Sequence, residues 1–228
     1  MNRTLKVVRM QLVNRQTFIW IPLIVLAGAF VLSLVVFSLI PVDGIKVGGA
    51  QYTPLWYFLA AGAMSMAYTF PYSQAMSITR REYFLGTLLS AMITATMLAA
   101  ISLVGSAIEW ATSGWGMNGW FFITPGGTDL NLGGQVAFTF GAAMLFFVIG
   151  FWSATVFKRF GPLWLTVIWA GIAAALILIA WVVTQVDGWG AVGTWIVAQS
   201  LVTWGLWLLL LAAALGGISY LTLRRAVP

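Results

Sequence analysis

Apolar residues in this chain come in long uninterrupted runs, and the polar and charged residues gather between them. The runs predict helices over Phe18 to Ile40, Thr53 to Met76, Phe84 to Ile108, Gly134 to Phe157 and Pro162 to Thr184, with a final stretch from Val192 to Leu223. At a rise of about 1.5 Å per residue, each of the first five crosses a hydrocarbon layer of roughly 30 Å with some tilt. The last, 32 residues long, exceeds one crossing, so the sixth span is set at residues 200–223 and residues 187–199 are expected to form a short re-entrant or interfacial element. Barrel strands would read as segments of about 10 residues that alternate in polarity, and no such alternation is present. The expected fold class is therefore all-α: a polytopic membrane protein with six transmembrane helices, forming one transmembrane domain over residues 1–228.

Residues 2–16 follow a different pattern. Leu5, Val8 and Leu12 fall at helical spacing among Arg3, Lys6, Arg9 and Arg15, the signature of an amphipathic elbow helix in the membrane interface. Met1 to Arg15 lacks the apolar core and small-residue cleavage site of a secretory signal, so the first span is expected to be retained. Small residues four apart, at Gly86, Ser90 and Thr94, at Ala91, Ala95 and Ala99, and at Ala212 and Gly216, mark ridges that permit close helix approach.

Composition sharpens the picture. Hydrophobic residues make up 61% and charged residues only 7%, too few charges to surface a soluble domain, which carries roughly 25%; the mean hydropathy is +0.98. Ten of the eleven basic residues lie at the two ends or in alternate loops: Arg3, Lys6, Arg9, Arg15, Arg80, Arg81, Lys158, Arg159, Arg224 and Arg225, leaving Lys46. Asp43, Glu109, Asp129 and Asp187 lie in or beside the opposite loops. The positive-inside rule then places both termini in the cytosol of a multi-pass protein of the cell membrane. The net charge of +6 follows from orientation and anionic head groups without any nucleic acid.

The chain has neither cysteine nor histidine, which excludes thiolate and histidine metal sites, histidine-ligated haem and Ser-His or Cys-His nucleophiles within it. With only five acids, no Ser/Lys or paired-carboxylate site gathers on one face, and the chain is expected not to be an enzyme. No charge sits clearly at mid-membrane depth, where ion-coupled carriers place theirs; Glu109, at the end of the third span, is expected to be solvated beside a Gly/Trp-rich loop. None of Lys6, Lys46 and Lys158 follows the glycine pattern of a phosphate loop, so ATP and Mg, if used, bind another chain.

The most distinctive segment is Phe70-Pro71-Tyr72-Ser73-Gln74-Ala75-Met76-Ser77-Ile78-Thr79-Arg80-Arg81-Glu82-Tyr83-Phe84-Leu85-Gly86-Thr87. It resembles the Phe-Pro, small-polar, Ser/Thr-Arg-Arg-x-Tyr/Phe-Phe-x-Gly-Thr signature of ABC type-2 permeases, the membrane subunits of ATP-driven exporters, and the predicted topology is similar too. The resemblance implies that residues 73–84 form a cytoplasmic coupling helix docking on a separate ABC ATPase subunit, through Ser73, Met76, Ser77, Arg80, Arg81, Glu82, Tyr83 and Phe84. Pro71 would kink or end the second span by removing a backbone donor; Tyr83 and Phe84 would offer apolar contacts, and Arg80, Arg81 and Glu82 would pair with charges on the partner. It also implies a second permease subunit, identical or paralogous, with cargo passing between the halves. The alternative is an ATP-independent secondary carrier or scaffold subunit; carriers show repeated halves, and residues 1–110 do not resemble 111–228.

Overall fold

Helices account for 87% of the described residues. The computed structural model describes residues 3–41, 44–123 and 131–224; Asn2, Asp43, Asp129, Arg225 and the side chain of Arg3 lie outside what is described. The helices are α1 (Arg3–Val13), α2 (Ile21–Leu39), α3 (Thr53–Met64), α4 (Phe70–Ala75), α5 (Arg80–Ala111), α6 (Leu132–Phe160), α7 (Pro162–Gln185), α8 (Trp189–Ala198) and α9 (Leu201–Leu223). A π-helical turn, Gln16–Trp20, leads into α2. Two residue pairs, β1 (Lys46–Val47) and β2 (Gly119–Trp120), form a short parallel bridge. Among the described residues five helices are long and apolar enough to cross a membrane: Gln16–Leu39, α5, α6, α7 and α9. The protein is thus a membrane-embedded helical bundle.

The run predicted as one helix from Thr53 to Met76 is built differently. It consists of α3, a π-helical turn at Ser65–Thr69 and α4, placed end to end. Proline supplies the reason. Pro71 has no N–H to donate and its ring crowds the carbonyl one turn back, so the ladder widens just before it instead of continuing regularly. Side-chain donors add to the backbone bonds there: Ser65 Oγ donates to Ala61 O at 2.9 Å and Thr69 Oγ1 to Ser65 O at 2.6 Å.

Helix α6 is the axis of the bundle, and glycines bring its neighbours close. A Cβ on Gly150 would collide with the Leu59 carbonyl of α3, and one on Gly62 with the Phe147 carbonyl of α6. Gly205 of α9 sits against the Ala137 backbone, while Gly141 faces Gly205 O, at 2.6 Å from its would-be Cβ. Between helices in lipid the water-driven attraction is lost, and close backbone contact supplies dispersion in its place. The ridges predicted on α5 and α9 are buried as well: Gly86, Ser90, Thr94, Ala91, Ala95, Ala99, Ala212 and Gly216. Gly86 packs on Val7 and on the Thr4 carbonyl of α1, so that ridge serves contact within the chain. Helix α7, by contrast, buries none of its residues, and neither does α8.

Contacts at the two ends define the bundle's polarity. Arg80 at the start of α5 donates to the carbonyl of Arg224 at the end of α9, which brings the Arg80–Arg81 pair beside the C-terminal basic residue. At the opposite, far end, Lys46 Nζ donates to Phe37 O at 2.8 Å. The one lysine outside the basic pattern therefore neutralises the C-terminal dipole of α2.

A methyl group at the α3–α6 crossing tests this packing. Gly150→Ala is expected to cost about 1–3 kcal/mol by overpacking, read as a lower midpoint of thermal unfolding in detergent. Gly28→Ala, where a Cβ meets nothing within 4 Å, is expected to leave the midpoint unchanged or raise it slightly through better helix propensity.

Candidate functional site

The signature segment folds as a hairpin, not as one helix. Helix α4 ends in a Schellman arrangement, in which Ile78 N donates to Ser73 O at 3.0 Å and Ser77 N to Gln74 O at 3.0 Å. Ser77 adopts the left-handed conformation (φ 54) that such an ending requires. Thr79 is extended (ψ 150) and opens α5 with a capping box: Thr79 Oγ1 accepts from Glu82 N, and Thr79 N donates to Glu82 Oε2 at 3.0 Å. Ile78, 5% exposed, buries the apolar side of the turn. Gln74 Nε2 ties the hairpin across, donating to Ile78 O at 3.3 Å.

Below the turn lies a polar cluster in an otherwise apolar setting. Tyr83, fully buried, donates its hydroxyl to Ser65 O at 2.6 Å, at the start of the π-turn. Gln11 enters from α1 and is also fully buried; its Nε2 donates to Thr87 Oγ1 at 2.9 Å and to Thr69 Oγ1 at 3.3 Å. Aromatic rings complete the base: Tyr83 meets Phe70 edge-on at 5.2 Å, and Phe84 lies 6.0 Å from Phe151 of α6 and 5.2 Å from Tyr220 of α9. Elements α1, α3–α4, α5, α6 and α9 therefore converge beneath one short turn.

These contacts correct the expected coupling helix over residues 73–84. Ser77 in the left-handed region and the capping box at Thr79 interrupt it, so the segment is the end of α4, a four-residue turn and the first residues of α5. The roles of its residues divide accordingly. Met76, Ser77 and Arg81 are exposed at the tip. Ser73, Tyr83 and Phe84 are buried and pack the chain's own core instead of offering a docking face. Glu82 caps α5, and Arg80 caps the C-terminal carbonyls of α9, where a cation meets the negative end of the helix dipole. Tyr72, 70% exposed on α4 one turn before Met76, joins the tip although no sequence signal singled it out.

Helix α1 also differs in its buried face. Val7, Val8 and Gln11 face inward, whereas Leu5, expected on the apolar stripe, is 49% exposed. A hydrogen-bonding partner on α5 outweighs hydrophobicity there, because a buried amide is stable only where it is bonded.

Tyr83→Phe keeps the ring and removes the hydroxyl. It is expected to cost about 1 kcal/mol, since Thr69 still satisfies Ser65 O, measured as a lowered unfolding midpoint in detergent. Tyr83→Ala is expected to cost about 3 kcal/mol or more by opening a cavity beside Phe70 and Phe151. Searches against protein-family models, curated proteins and solved structures find no match to this chain.

Proposed function

We propose that this chain is the membrane-spanning subunit of an ATP-driven exporter, crossing the cell membrane six times with both termini in the cytosol. Residues 53–75 make the second crossing, and the α4–α5 turn, with the basic end of the bundle, faces the cytosol. ATP and Mg are handled by a separate ATPase subunit, a second permease subunit completes the pathway, and this chain carries no catalytic step.

The observation that supports the reading is the construction of the turn. Its tip, formed by Tyr72, Met76, Ser77 and Arg81, is exposed, while its base is hydrogen-bonded and packed against five helical elements. A tip on a pliant loop would absorb a push from a partner. One fixed on both sides by a Schellman ending and a capping box passes displacement on to the α5, α6 and α9 ends, because packed interiors transmit strain. A side chain of mixed character, with Tyr72 and Met76 apolar and Arg81 cationic, suits a groove with an apolar floor and acidic rim. The unburied faces of α7 and α8 leave a second subunit room to seat without displacing a helix.

The docking set follows from exposure and differs from the one the motif implies: Tyr72, Met76, Ser77 and Arg81. In the complex purified from native membranes, an ATPase chain is expected to accompany this one. Combining Tyr72→Ala with Arg81→Glu is expected to lower cargo-stimulated ATP hydrolysis by about tenfold or more, as loss of an interface anchor does. Stability of the isolated chain should change by less than about 0.5 kcal/mol, because both side chains lie on the surface. Full stimulation in that variant would overturn the assignment.

A further inference from the structure

The far end of the bundle holds an ionisable group the exporter reading does not use. Glu109, in the last turn of α5, was expected to be solvated; it is fully buried. Its Oε1 accepts from Trp115 Nε1 at 2.8 Å and Phe121 N at 2.6 Å, and its Oε2 from Phe122 N at 2.9 Å and Ile123 N at 2.8 Å. Four N–H donors on two oxygens match an ionised carboxylate, which only accepts. They include three consecutive backbone amides, a concave nest of the kind that binds anions. Here the anion is part of the chain.

Two features oppose this arrangement. Glu109 stands at the C-terminal end of α5, where the helix dipole disfavours a negative charge. The segment it grips is also strained: Ser113, Trp115 and Asn118 hold positive φ of 51, 61 and 51, alongside Gly114 at 71 and Gly116 at 72. A left-handed conformation costs a side-chain-bearing residue of order 1–2 kcal/mol, and such strain persists only where surrounding contacts over-determine it.

The surroundings do so at specific points. Gln135 Nε2 of α6 donates to Phe122 O at 2.7 Å, and Gly48 N to Trp120 O at 3.0 Å. Phe122 seats on Gly105, and Phe30 of α2 meets Trp115 edge-on at 4.9 Å and Phe121 at 5.2 Å. Trp115 and Phe122 also wall an apolar cleft of about 440 Å³ with Phe30, Val104, Gly105 and Ile108. Release of the four Glu109 bonds would leave the backbone free to relax, and the same movement would carry two walls off this cleft.

We infer that residues 113–123 form a lid on the far end of the bundle and that Glu109 is its latch. The lid is closed while the carboxylate holds the four N–H groups, and it opens as a unit, taking two walls off the cleft, when they are released. The inference does not depend on a partner subunit or on ATP.

Hydrogen–deuterium exchange of the full chain in lipid nanodiscs tests it through the amides the carboxylate binds. Glu109→Gln turns an amide group toward N–H donors, so exchange in a peptide covering residues 119–123 is expected to accelerate about tenfold or more while peptides from Leu132–Phe160 stay as slow as before. Ser113→Gly relieves one left-handed residue and is expected to slow exchange at 119–123 a few-fold. If Glu109→Gln accelerated α6 as well, the variant would have unfolded globally and Ser113→Gly would decide, slower exchange at 119–123 supporting the lid. Unchanged exchange at 119–123 in Glu109→Gln with α6 intact, or in Ser113→Gly, would overturn it.

Discussion

The structure depends on backbone-to-backbone contact at α6. Lipid tails are as apolar as the side chains they surround, so helices in a bilayer gain little by hiding leucines from each other, and the approach distance decides the contact. Gly62 and Gly150 remove the side chains between α3 and α6, and Gly141 with Gly205 does the same between α6 and α9. Three helices are thereby fixed as one unit. Helix α5 packs against α6 with Ala91, Ala95 and Ala99 buried, and α1 is pinned to α5 at Gly86.

Once α5 is placed, both distinctive sites are placed with it. Its 32 residues span about 48 Å at 1.5 Å per residue. Its first turn carries the capping box of the α4–α5 hairpin, and its last carries Glu109. The same helix is anchored at one end by Arg80 on the α9 carbonyl and by Tyr83 under the π-turn, and at the other by four hydrogen bonds to the lid segment. At both ends of α5, polar groups satisfy backbone that regular helical bonding leaves open. The middle of the bundle is left to apolar and small residues.

The apolar runs revealed the long helices because a bilayer imposes a minimum length on any span, and Phe84 to Ile108, Gly134 to Phe157 and Pro162 to Thr184 each fall within α5, α6 and α7. Contacts between residues far apart in sequence were not legible. Gln11 is buried through bonds to residues 58 and 76 positions away, and a helix-face pattern cannot register a partner at that distance. Glu109 looked solvated because its neighbours in sequence are glycines and tryptophans; three of its four donors come from a chain reversal 12 to 14 residues on. The break in the expected coupling helix did have a local signal. Thr79-Arg80-Arg81-Glu82 is a capping-box sequence, and it marks the start of α5 inside the segment that the family likeness treats as a single helix. Tyr83 and Phe84 carry the likeness equally well as core residues, since a motif records which residues recur and not which way they point.

The central claim, that the exposed hairpin tip receives force from a nucleotide-hydrolysing companion, is tested most directly in intact cells. A photo-reactive amino acid placed at Met76, exposed at the tip, should cross-link this chain to one ATP-binding protein, whereas the same probe at the far-end residue Val47 should not. Capture of no such protein from Met76, with the chain correctly inserted and abundant, would contradict the account.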